Sequence, residues 1–112
     1  MSTVRITCGT VRDMLGTAGV LTTATGDKIY KDSPFATFQA TVVGTGAVTA
    51  TIVIDASNDG VYWCSTPLGT ITLSGTTSHS DGFTTTSPWK YTRARVTAIS
   101  GTGATVTALL GV

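Results

Sequence analysis

The single histidine of the chain, His79, stands beside Ser80 and Asp81, so the three residue types of a hydrolytic triad occur consecutively. A nucleophilic serine needs a base within hydrogen-bond reach and a carboxylate that orients the base. Consecutive residues of an extended chain point to opposite sides, and no strained elbow presents this serine. His79 therefore reads as a solvated loop histidine, and no catalytic residue is assigned. Asp55, Asn58 and Asp59 bring three oxygen-bearing side chains together, but their spacing does not follow the EF-hand loop. Asn58-Asp59-Gly60 is explained more simply as a turn. One histidine and two distant cysteines, Cys8 and Cys64, make no zinc pattern. The two Gly-Thr-Gly segments, at 44–46 and 101–103, do not run on into a phosphate-gripping loop with its lysine. No metal and no cofactor are expected. Cys8 and Cys64 read as free thiols, since two cysteines do not form the dense framework of small disulfide-stapled domains.

The strongest candidate for contact chemistry is cationic and aromatic. Trp89, Lys90, Tyr91, Arg93 and Arg95 lie close together, and Tyr91, Arg93 and Arg95 share one face of an extended run whose other face carries Ala94, Val96 and Ala98. Such a face can be plain solvated sheet, can stack on bases or sugars, or can bind protein, where Arg and Tyr are enriched. Three basic residues are few for nucleic acid, and a net charge of +1 supplies no broad field to attract nucleic acid or anionic lipid. A protein interface built from Arg5, Tyr91, Arg93 and Arg95 is therefore the reading adopted. Trp63 and Trp89 are expected to be core anchors.

These residues need a scaffold, and the composition says which kind. Threonine fills 25 of 112 positions while glutamate is absent, which favours pleated strands over solvated helices. Phe38, Ala40 and Val42, then Val48, Ala50, Ile52 and Ile54, take alternate positions and are expected to face a core. Gly44-Thr45-Gly46 between these runs reads as a hairpin turn, and Gly101-Thr102-Gly103 as a second, similar one. Trp63 is placed in a strand after the Asn-Asp-Gly turn, and residues 76–88 in an exposed loop with room for a short strand around Phe83. In the less regular residues 1–34, Val4 and Ile6 mark an opening strand, Lys28-Ile29-Tyr30 another, and residues 11–15 suit a helix of one or two turns. The whole is one domain, 1–112, of seven to nine short strands: an all-β, two-sheet antiparallel sandwich of jelly-roll or immunoglobulin-like type. No run is long and apolar enough to span a bilayer and the first residues lack the apolar core of a signal peptide, so a soluble chain without membrane contact is expected.

The stretches Thr41-Val42-Val43-Gly44-Thr45-Gly46-Ala47-Val48-Thr49-Ala50, Ser57-Asn58-Asp59-Gly60-Val61-Tyr62-Trp63 and Ala98-Ile99-Ser100-Gly101-Thr102-Gly103-Ala104-Thr105-Val106-Thr107 look like small β-sandwich virion proteins of tailed bacteriophages. In size and style the chain is similar to the decoration, or cement, proteins of phage heads, including those of epsilon15-like phages. The resemblance implies a structural protein, not an enzyme, that binds the major capsid protein lattice and stabilises the shell. It also implies a homo-oligomer, dimer or trimer, on the outer surface of the virion capsid, assembled in the host cytoplasm. A carbohydrate-binding tail or fibre module and a head-completion or tail subunit are the alternatives it leaves.

Overall fold

The computed structural model describes residues 3–6, by their backbone, and residues 9–112 in full. Seven strands are assigned: β1 (Thr3–Ile6), β2 (Val11–Asp13), β3 (Ala24–Thr25), β4 (Lys28–Lys31), β5 (Ala36–Ser57), β6 (Gly69–Thr85) and β7 (Tyr91–Gly111). Their order in the sheet is β1-β4-β7-β5-β6, and β2 and β3 also pair with β7. Every pairing is antiparallel except that of β1 with β4. In succession Val11 pairs with Gly111, Val20 with Val106, Ala24 with Val96 and Ile29 with Thr92. Residues 11–30 thus run beside β7 as one interrupted strand.

The long strands cannot be straight. At about 3.4 Å per residue a 22-residue β5 would reach roughly 75 Å, whereas the longest dimension of the molecule is 39 Å. β5, β6 and β7 therefore fold over midway, and the sheet closes on itself as two layers around one core. The bend lies where the registers slip: between Val43 and Ala47 against β6, and between Val43 and Thr49 against β7. Thr45 pairs with Thr102, so the two Gly-Thr-Gly segments face each other across neighbouring strands. They are bulges at a shared corner and not hairpin turns, which corrects the expectation. Extra residues in a bulged strand leave the ladder locally and let the strand bend.

Inward alternation follows the sequence closely. Phe38, Ala40, Val42, Val48, Ala50, Ile52 and Ile54 are all buried and join Ile71, Leu73, Ala94, Val96, Val106 and Leu110 in one cluster. The face changes once where alternation does not predict it. Thr51 pairs with Ala98 but Ile52 pairs with Val96, so Thr97 is an extra residue, Ala98 is exposed, and Ile99 packs against the core instead. Residues 69–85 form β6, including most of the segment expected as a loop, and residues 11–13 are strand, not helix. Trp63 lies outside any strand, and both tryptophans are half-buried outside the core cluster, contrary to their expected role as anchors. The core is filled instead by aliphatic side chains, alanines and Phe38, which stacks on Phe83 at a centroid distance of 5.2 Å.

Two charged residues, Lys31 and Asp55, are buried. Lys31 is 1% exposed and its ammonium donates to the carbonyls of Ser33 and Ser87, at 3.0 Å each, which ties the segment after β4 to the segment before β7. Burial first, and then the nearby Lys90 charge, hold its proton affinity below the ordinary lysine value.

Candidate functional site

β7 places Tyr91, Arg93 and Arg95 on the face away from the core, because Thr92, Ala94 and Val96 between them are buried. On the adjacent strand Asp55 is in register with Arg93, and Val53 with Arg95. The Asp55 carboxylate accepts from both guanidinium groups: Arg93 Nε to Oδ2 at 2.9 Å, Arg95 Nε to Oδ2 at 3.0 Å, and a terminal nitrogen of Arg95 to Oδ1 at 3.2 Å. Its side chain is only 4% exposed, against 20% for Arg93 and 40% for Arg95. Burial works to raise the carboxyl's pKa, but the hydrogen bonds from Arg95 and then Arg93, with their charges, outweigh it and leave Asp55 below the usual carboxylate range.

Residues 58–68 form the loop between β5 and β6 and cover part of this face. The Arg93 guanidinium carbon lies 4.3 Å from the ring centroid of Trp63, a cation–π contact that accounts for the tryptophan's position. Gly60 rests against Tyr91, whose ring would lie 3.3 Å from any Cβ at that position. Tyr91 in turn meets Tyr30 edge to face at 5.3 Å, with the Lys28 ammonium 5.8 Å from its centroid. Lys28 Nζ also donates to the Gly60 carbonyl at 3.2 Å. In the backbone register Arg5 pairs with Tyr30, one strand farther out; its side chain and Cys8 lie outside the described residues.

The first turn of the loop is held by two short side chains. The buried Ser57 hydroxyl accepts the Asp59 and Gly60 amides at 3.3 and 3.0 Å, and its one hydrogen goes to the Tyr62 carbonyl at 2.7 Å or to Asp59 Oδ1 at 2.9 Å. Asp59 Oδ1 accepts the Val61 and Tyr62 amides, each at 2.9 Å. Those bonds, Val61's first, hold the Asp59 carboxyl below its usual range. Asn58 Oδ1 takes the Lys90 amide at 3.1 Å. Of the oxygens considered as cation ligands, Asp59's build the turn that the sequence suggests, Asn58's takes the Lys90 amide, and Asp55's are held by the two arginines. Ser57→Ala should cost about 1–2 kcal/mol, because the Gly60 amide and Tyr62 carbonyl lose a buried partner; urea unfolding monitored by tryptophan emission would measure it.

The Ser-His-Asp trio lies at consecutive positions of β6, and each side chain bonds to a different partner. His79 Nδ1 accepts the Ser74 amide at 3.0 Å, the Ser80 hydroxyl bonds Thr41 Oγ1 at 2.9 Å, and Asp81 Oδ1 accepts the Gly82 amide at 2.8 Å. Among the described residues no group of three or more His, Cys, Asp or Glu could hold a metal ion. Cys64 is a free cysteine and shares with Ala56, Pro67, Leu68 and Trp89 a surface hollow of about 490 Å³. The Trp63–Arg93 stack and the engagement of Arg93 and Arg95 by Asp55 are what sequence reasoning missed. The legible signal was an aspartate ending an outward run of Thr49, Thr51 and Val53.

Fold and site together define an all-β, mainly antiparallel sandwich domain whose polar face is organised around a buried carboxylate. No family model matches the chain, and no curated protein matches it either. Among solved structures it is similar to the pre-peptidase C-terminal domain of a collagenase from Bacillus anthracis, with 16% sequence identity over 97% of this chain and 94% of that one and a TM-score of 0.43. The comparison that spans the chain thus finds a bacterial collagenase domain and not a virion protein. The expected kinship with phage decoration proteins is corrected accordingly. With it go the capsid-binding and tail or fibre functions, the major capsid protein lattice and the dimer or trimer as partners, and the virion surface as location.

Proposed function

We propose that this domain is a binding module that docks on another protein through the face formed by Tyr91, Arg93 and Arg95 and the loop over it, with Arg5 at its margin. The observation that carries the reading is the presentation of Val61 and Tyr62. They are 68% and 81% exposed, yet the backbone beneath them is fixed by the Ser57 and Asp59 hydrogen bonds. Two apolar side chains held outward on a rigid turn have already met much of the ordering cost of binding. Tyrosine and arginine are also the residues on which interface energy concentrates. Lys28, Arg93 and Arg95 against Asp55 and Asp59 give three positive and two negative side chains around the face, which favours a partner surface with exposed carboxylates.

A photo-crosslinking amino acid in place of Tyr62 should capture one protein from extracts of the source organism. Unlabelled wild-type domain should compete for that capture. The Val61→Ser/Tyr62→Ser variant, whose changes lie on exposed side chains, should compete at least tenfold less well, since loss of a tyrosine hot spot costs about 2 kcal/mol. Equal competition by the variant would remove this face as the docking surface.

A further inference from the structure

We propose that His79 and Asp81 guard the free edge of β6, occupying the backbone hydrogens that a second copy of this chain would otherwise take in edge-to-edge strand pairing. β6 ends the sheet, with β5 on one side and no strand on the other among the described residues. Alternate amides of such a strand point away from the ladder and form a template for pairing with another chain. Charged and proline defences are sparse: across its 17 residues β6 has no lysine, arginine or proline, and Asp81 is its one acid. A net charge of +1 gives copies of the chain little repulsion.

Two side chains of the strand take up this role locally. The Ser74 amide donates to His79 Nδ1 at 3.0 Å and the Gly82 amide to Asp81 Oδ1 at 2.8 Å. Both amides belong to even-numbered residues, and the register slip moves β6 by two residues, from Thr76 to Ser78, so the parity is kept and both fall on the same side. Between them Thr77 adopts φ +65°, a left-handed conformation uncommon for a β-branched residue. The kink divides the edge into two shorter pieces, and His79 reaches back across it to Ser74. Gln39, Thr41 and Ser80 bond to one another beside this segment and are already committed.

The test compares wild type with His79→Ala/Asp81→Ala and with His79→Gln/Asp81→Asn, which keeps an acceptor at each position. Sedimentation should show the double-alanine variant at twice the wild-type mass or more, with an unchanged folded far-UV spectrum, and the Gln/Asn variant at the wild-type mass. A folded double-alanine variant that keeps the wild-type mass at every concentration would overturn the proposal. So would equal association of the Gln/Asn variant. Should the double-alanine variant not fold, hydrogen exchange on the wild type decides: Ser74 and Gly82 amides should exchange several-fold more slowly than the Ser65 and Thr66 amides of the loop, and equal rates would overturn it.

Discussion

Gly101→Ala is expected to destabilise the domain by about 3–4 kcal/mol, whereas Gly103→Ala, the same substitution two residues on in the same bulge, should cost about 1 kcal/mol. The two glycines differ in what a methyl group would meet. At Gly101 a Cβ would lie 2.7 Å from the Ala47 carbonyl oxygen and 2.9 Å from Val48 Cγ1, and the backbone sits at φ +120°, a region closed to L side chains. At Gly103, with φ +65°, nothing lies within 4 Å, so only the left-handed conformation is penalised. Val48 belongs to the core and cannot move aside without opening a void. Against a total stability of about 5–15 kcal/mol for a domain, the first change removes a substantial share and the second does not. Urea unfolding of both variants measures the difference. Equal costs would mean that the corner is not held by close passage of β5 and β7.

The same corner marks the limit of what the sequence discloses. Alternation from Phe38 to Val42 and from Val48 to Ile54 identifies both the strands and their inward faces, because burial of one face imposes a period of two whatever the topology. Gly-Thr-Gly is ambiguous because a hairpin turn and a bulge make the same local demand, a backbone with positive φ. The two are separated only by which strands pair, a long-range fact: here Thr45 meets Thr102. The repetition of the motif, taken as two similar hairpins, reflects one bend made by two adjacent strands. Trp63 shows a different limit. An aromatic after a tight turn fits a core strand, but its ring lies over Arg93, and that partner is set by how residues 58–68 fold back over the sheet. Tyr91, Arg93 and Arg95 do share an outward face as their spacing requires, while the parity beyond them is lost at Thr97, where an extra residue enters without glycine or proline to announce it.

Asp55→Asn should lower stability by about 2–3 kcal/mol near neutral pH, and the deficit should shrink as the solution is acidified. Breaking a fully buried ion pair costs about 3–5 kcal/mol. The lower figure applies because Arg93 and Arg95 are 20% and 40% exposed and can turn toward water once the carboxylate is gone. Asp55 is held below its ordinary value of 3.8, burial opposing the shift and the bonds from Arg95 and Arg93 prevailing. Its folded pKa is therefore depressed, and below 3.8 the unfolded chain binds the proton that the folded one resists, so stability rises with pH through that interval. The carboxylate's contribution is fully present above the unfolded value and is lost as pH falls from 3.8 through the folded value. Asparagine cannot titrate, so the two unfolding curves should converge over that window. Acid sensitivity left in the variant falls to Asp59, a second carboxyl held low. A deficit that stays constant from neutrality into acid would show that Asp55 acts through its shape and not its charge. The Trp63 emission adds a second reading. Arg93 stays over the ring only while Asp55 orients it, so Asp55→Asn should shift that emission, and an unchanged spectrum would detach the tryptophan from the ion cluster.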